Sequence, residues 1–214
     1  MNRKDKEELL ALLEEKAKRR KENAIFSINV YDWQKEFYDE GIRSKQRMLM
    51  AANRVGKTFS SCIELTYHLT GLYPDWWGGV KFDFPINAWA LGVSGEQIRD
   101  VLQNEMFGQL GRDGFVTHGL VPSSLVGDIT RSMIPKLSKD VKVKHVSGQW
   151  STVSFKSYSQ GQHALMGSSV DYALIDEEPE DPEIYPQVVT RTATGNKGKG
   201  GYVVLSFTPE NGQT

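Results

Sequence analysis

Eight consecutive residues, Ala51-Ala52-Asn53-Arg54-Val55-Gly56-Lys57-Thr58, have the types and spacing to hold a triphosphate. They fit the pattern G-x-x-x-x-G-K-[ST], with Ala51 in place of the first glycine. In such a loop the backbone N–H groups of Ala52, Asn53, Arg54 and Val55 surround phosphate oxygens, and the helix that follows adds the positive end of its dipole. Gly56 lets the backbone approach closely. Lys57 is placed to reach the β- and γ-phosphates of ATP, and Thr58 to ligate Mg2+. Arg54 has two readings. It can stabilise charge on the γ-phosphate in cis, or it can be a solvated surface arginine.

A second constellation lies downstream. Tyr172-Ala173-Leu174-Ile175 is apolar and runs into Asp176-Glu177-Glu178. An aspartate at the tip of a buried strand can hold the Mg2+ shell, directly or through water. The next glutamate can take a proton from the attacking water. Alternation of side chains along a strand favours Glu177 over Glu178 as that base. Glu178 otherwise caps the turn at Pro179.

Two further segments could touch the nucleotide. Gln34 stands 17 residues before Ala51 in Tyr31-Asp32-Trp33-Gln34. Its amide can read adenine, with Tyr31 or Trp33 packing on the ring. The plainer reading is a helix start capped by Asp32. Ser206-Phe207-Thr208-Pro209 follows the last apolar run. The Thr208 hydroxyl can sense the γ-phosphate, or the segment is an ordinary strand-ending turn.

These residues need elements to position them. Met48–Ala51 reads as a strand entering the loop, and residues 57–70 as the helix leaving it. Strands are expected at Ala88–Val93, Trp150–Tyr158, Val170–Ile175 and Tyr202–Phe207, with helices near Glu96–Leu110 and Pro182–Thr192. Strands alternating with helices imply a parallel sheet covered on both faces. Residues 3–23 are rich in Lys, Arg and Glu, with Leu9, Leu10, Leu12 and Leu13 at helical spacing. They read as a charged helix, either solvated at the domain edge or docking a partner protein.

Composition sets the outer bounds. The chain has 214 residues, 39% hydrophobic and 25% charged, enough for one sizeable α/β core. Its net charge of −1 confines any nucleic-acid contact to a local patch. Cys62 is the only cysteine, which excludes an internal disulfide and a cysteine-based metal site. No apolar run has the length of a signal peptide or of a membrane span. A soluble, intracellular protein is expected.

Together the motifs resemble the ATPase domain of large terminase subunits, the DNA-packaging motors of tailed bacteriophages. The matching pieces are Ala52–Thr58, Gly71-Leu72-Tyr73-Pro74-Asp75-Trp76-Trp77, Met166-Gly167, Asp176-Glu177-Glu178 and Ser206-Phe207-Thr208-Pro209. They run from about Tyr31 to Gly212, and the Tyr73–Trp77 segment is the most family-specific. The resemblance implies a P-loop NTPase fold of the RecA/ASCE-like kind, with a central, mainly parallel sheet flanked by helices and preceded by the charged N-terminal helix. It divides the chain into residues 1–24 and an ATPase domain over 25–214. It assigns adenine to Gln34, phosphate and Mg2+ to Lys57 and Thr58, the second motif to Asp176 and Glu177, and coupling to Thr208. The family usually carries its P-loop arginine three residues before the glycine, where Asn53 stands here. A metal-dependent nuclease domain follows the ATPase in the family, so this chain reads as the ATPase part alone. Implied partners are double-stranded viral DNA, the portal protein, the small terminase subunit and further copies in a ring on the capsid. The implied setting is the cytoplasm of the bacterial host, away from membranes.

Other features stay open. Arg131, Lys136, Lys139, Lys142, Lys144 and His145 form a basic stretch diluted by Asp128 and Asp140. It can track phosphates or be a solvated hairpin face, and no aromatic residue interleaves it along the chain. Lys197 and Lys199 lie in the flexible Gly195–Gly201 loop. Arg191 can serve a neighbouring subunit's nucleotide or act as a helix C-terminal cation. Two rivals to the packaging motor are a helicase-like DNA-dependent ATPase and a non-catalytic nucleotide-binding assembly module. The Tyr73–Trp77 segment argues against the first, and the intact Glu177 against the second.

Overall fold

A computed structural model of the chain describes residues 5–6, 9–10, 12–16, 24–161, 165 and 169–209. The described positions among 5–16 are helical, and Leu9, Leu10, Leu12 and Leu13 are exposed there. The remainder of the expected N-terminal segment lies outside the described residues, as do Met166-Gly167 and the chain beyond Pro209.

Seven strands form one sheet in the order β1-β7-β6-β2-β5-β4-β3. They are β1 (Gln46–Met50), β2 (Asn87–Gly92), β3 (Val126–Arg131), β4 (Ser138–Lys144), β5 (Trp150–Ser157), β6 (Tyr172–Asp176) and β7 (Tyr202–Phe207). β1, β7, β6, β2 and β5 pair in parallel, and β4 and β3 extend the sheet antiparallel. β2, β6 and β7, central in the sheet, read as apolar runs because both faces are covered, whereas β5 alternates and β1 is a partly exposed edge strand. Tyr172, Leu174 and Val204 point into one core with helices α2 (Lys57–Thr70) and α3 (residues 95–106), while Ala173, Ile175, Val203 and Leu205 point into the other with α4 (Ile184–Thr192). α3 starts at Gly95–Ile98, widens to a π turn over Arg99–Gln103 and closes at Asn104–Met106. α1 (Asp32–Asp39) precedes the sheet.

The Tyr73–Trp77 segment is a core element. Trp77 stacks on Tyr38 of α1 with ring centroids 5.0 Å apart and meets Tyr67 of α2 edge-on at 5.2 Å. Beneath it runs a buried polar chain that sequence reading did not find. Arg47 of β1 forks onto Glu64 of α2 and also donates to the Phe37 carbonyl at 2.8 Å. Glu64 accepts from His68 Nε2 at 3.3 Å. The Phe82 amide donates to the Tyr73 hydroxyl, which in turn faces His68 Nδ1 at 2.9 Å. With the imidazole neutral and its Nε2–H donating to Glu64, Nδ1 is left to accept from the Tyr73 hydroxyl. Burial pushes His68 below its ordinary value, against the pull of Glu64. Burial would raise the Glu64 carboxyl, but Arg47 and His68 outweigh it and hold Glu64 below its ordinary value.

Candidate nucleotide site at the strand ends

The five parallel strands end at one edge of the sheet, where ligands bind in open α/β folds. The phosphate loop connects the end of β1 to the start of α2. Arg54 and Gly56 both adopt left-handed backbone, with φ of 63° and 88°. These turns make a concave nest of N–H groups at the N-terminus of a 14-residue helix. Gly56 is required for its conformation rather than for space, since an added Cβ would meet nothing within 4 Å. Ala51 has no such positive φ, which is why alanine serves at the place of the first glycine. Lys57 is 95% buried, and its ammonium donates to the carbonyls of Ala51 and Ala52 at 2.9 Å each and to Thr208 Oγ1 at 2.8 Å.

Thr58 opens α2 and donates its hydroxyl to Asp176 Oδ1 at 2.8 Å; Ser206 Oγ donates to the same oxygen at 2.9 Å. Burial pushes the Asp176 carboxyl up to about 6, against these two hydrogen bonds. A desolvated carboxylate beside a threonine hydroxyl is the donor set expected of a Mg2+ site completed by water and phosphate oxygens. Among the described residues no cluster of three or more His, Cys, Asp or Glu could cage a metal alone.

Glu177 leaves the strand through a left-handed turn with φ of 65°. A non-glycine residue held there costs about 1 kcal/mol or more and marks a site that uses the conformation. Simple alternation, the ground on which Glu177 was preferred, therefore does not apply: the turn re-aims the side chain. Its Oε2 accepts from the Thr208 amide at 3.2 Å, and its own N–H donates to the Ser206 carbonyl at 2.7 Å. The strand order explains this. β7 lies between the strand of Lys57's loop and the strand of Asp176, so the residue just past β7 faces both. Thr208 is that residue. Its hydroxyl accepts a hydrogen bond from Lys57 and donates to Asn53 Oδ1 at 2.7 Å, while its amide holds Glu177. Glu177, Glu178, Glu180, Asp181, Tyr158 and Thr208 line an open cleft of about 580 Å³.

Gln34 is buried, and its Oε1 accepts from the Tyr31 amide at 2.8 Å, so it closes the start of α1. Tyr31, not Asp32, is the N-cap. Arg54 is exposed, and among the described residues it makes no hydrogen bond or ion pair. The basic stretch is indeed a hairpin, but His145 is buried and bonded to Ser147, so it leaves the patch. Lys142 pairs with Asp128 at 3.4 Å. Trp150, 46% exposed, is registered beside Lys144 across the strands, an aromatic interleaving that the linear sequence hides. Lys197 packs 3.9 Å over Phe84 and Lys199 accepts from Lys45 through its carbonyl, both at the opposite edge of the sheet. Arg191 is also at that opposite edge, its carbonyl accepting from the Val170 amide just before β6. Tyr158 and Ser206 touch the site and were not singled out for their contacts, which depend on strand order.

The sequence matches the family described as "Terminase large subunit, T4likevirus-type, N-terminal" over residues 48–213. It is 32% identical to the terminase large subunit of Salmonella phage P22 over 225 residues, which covers 97% of this chain and 44% of the relative. The chain thus spans less than half the length of that relative. Its fold is shared with a large terminase ATPase domain of Thermus phage P74-26, at a TM-score of 0.51 and 13% identity over 87% of this chain and 68% of the other. It is also shared with the large terminase of bacteriophage HK97, at a TM-score of 0.52 and 18% identity over 85% and 33% of the two chains. The fold is thus the P-loop α/β fold of those domains, and this chain belongs to the family of terminase large subunits, within its T4likevirus-type N-terminal part.

Proposed function

We propose that this chain is the ATPase of a viral DNA-packaging motor, coupling hydrolysis of Mg-ATP to movement of double-stranded DNA into a procapsid. The observation that carries the reading is the Thr208 bridge, which joins the phosphate lysine to the carboxylate best placed to activate water. Lys57 holds the β- and γ-phosphates, exchanging one of its present acceptors for a phosphate oxygen. Thr58 and Asp176 hold Mg2+, which when bound neutralises phosphate charge. Glu177 takes the proton of the attacking water. Ala52, Asn53, Val55 and Gly56 line the phosphates with backbone, Gln34 borders the adenine side, and Arg54 remains the loop cation open to solvent.

Residues 25–214 form the ATPase unit in this reading, and residues 1–24 a charged segment outside it. The partners are viral DNA, the portal protein, the small terminase subunit and further copies in a ring, in the host cytoplasm. Among the described residues no helix is long and apolar enough to cross a membrane. A helicase-like ATPase shares the phosphate chemistry but not the family match. The deciding experiment is ATP-dependent DNA translocation by the full-length protein with procapsids and portal. Hydrolysis without translocation would leave the helicase-like reading; binding without phosphate release would leave the assembly module.

A further inference from the structure

We infer that Tyr158 is a positioning residue for Glu177, holding the left-handed turn from which that carboxylate reaches the cleft. Tyr158 stands at the end of β5, which is separated from β6 by β2. Its hydroxyl therefore has to reach across roughly two strand spacings, about 10 Å. It does so, lying 3.0 Å from the Asp176 carbonyl and 3.1 Å from the Glu177 carbonyl. These carbonyls flank the one residue of the β6 end that is held at positive φ.

Tyrosine suits the task because a single O–H shared between two carbonyl oxygens favours the geometry that turns both toward it. Phenylalanine fills the same space without that bond. The anchor of the tyrosine is itself fixed. Ser157 accepts from the Ser159 amide at 3.2 Å and donates to the Val93 carbonyl at 3.1 Å, so the turn carrying Tyr158 is tied to the end of β2. The two remaining holds on Glu177 come from β7, through the Ser206 carbonyl and the Thr208 amide. Tyr158 is thus the constraint from the other side of β6. Without it the turn can relax toward extended backbone, and the carboxylate swings away from Thr208.

This inference rests on the hydrolase reading, and the test separates the two. In the full-length protein, Tyr158→Phe should lower kcat by about 10- to 100-fold, the scale of a misplacement near 1 Å. KM for ATP should stay within about twofold, because the phosphate loop is untouched. Combined with Glu177→Gln, the same change should lower the residual rate no further, since it acts through Glu177. Combined with Glu178→Gln, it should keep its full effect. An additive loss in the Glu177→Gln background, or a kcat within about twofold of wild type, overturns the inference. Amide hydrogen exchange gives a readout independent of turnover: exchange at residues 176–178 should quicken in Tyr158→Phe while that of β1 and β2 does not change. A wild-type protein that releases no phosphate sinks the hydrolase reading. Unchanged exchange at 176–178 sinks the clamp whether or not the enzyme turns over.

Discussion

In the proposed site three side chains divide the work, and each makes a distinct prediction. Lys57→Ala removes the charge aimed at the transferring phosphoryl group, so phosphate release should fall by at least about 10³-fold. Retention of turnover within tenfold would refute the phosphate-loop assignment. Glu177→Gln keeps shape and loses the proton acceptor. Labelled ATP should still bind, and hydrolysis should drop by about 10²- to 10⁴-fold, whereas Glu178→Gln should stay within a few fold. Asp176 yields a prediction about stability. Its carboxyl titrates near 6 in the fold and at the ordinary 3.8 when unfolded. The native state therefore binds the extra proton between those values, and stability of the nucleotide-free protein falls as pH rises from about 4 to about 6. The loss attributable to this group is up to about 3 kcal/mol. Asparagine can still accept from Thr58 and Ser206, so Asp176→Asn should flatten that fall in denaturant titrations while abolishing Mg2+-dependent turnover. An unchanged pH slope in the variant would show that burial of Asp176 is not its cause.

Elements explain which parts of the site could be read from the sequence. The strand, loop and helix around Gly56 and the strand ending at Asp176 were legible because their geometry is local: a strand, a fixed spacing and a helix start. The boundaries of β6, β7 and α2 were met within two residues for the same reason. The Thr208 bridge to Glu177, the Tyr158 contacts and the Trp150–Lys144 register were not legible, since each depends on which strands neighbour which. β3 and β4 were read only as a hairpin face; Val141 and Val143 are buried, but Lys142 between them, with Lys139 and Lys144 on either side, made the run look like solvent. The Tyr73–Trp77 segment was recognised as family-specific without its physical role. It seals the Arg47-Glu64-His68 chain that stitches β1 to α2, the two elements flanking the phosphate loop. Removing one partner of such a pair strands the other charge in the core. Arg47→Met should therefore cost about 3–5 kcal/mol in a denaturant titration. A loss below about 1 kcal/mol would mean that Glu64 simply takes up a proton and the stitch matters little.

At the scale of the molecule, the proposed site lies at one edge of the sheet, and this bears on how copies would cooperate. A P-loop ATPase that receives an arginine from a neighbour gains about 10³–10⁵ in turnover from it. In the ring we propose, the isolated chain should thus be a feeble ATPase whose specific activity rises with assembly. Arg191 is a poor donor on geometric grounds. Its carbonyl meets Val170, six residues before Asp176 along the strand direction, which places it roughly 20 Å from the chemical edge. Where the strands run along the ring axis, a cation at the far edge of one copy lies at the far edge beside the next. Arg191→Ala should accordingly leave assembled, procapsid-stimulated hydrolysis within about threefold of wild type. Mixing Glu177→Gln with Arg191→Ala should then give the activity of the Arg191→Ala copies alone, without cross-rescue. A dead Arg191→Ala protein revived by Glu177→Gln copies would instead place this arginine in a neighbour's site, with the strands running around the ring so that the far edge of one copy meets the site edge of the next.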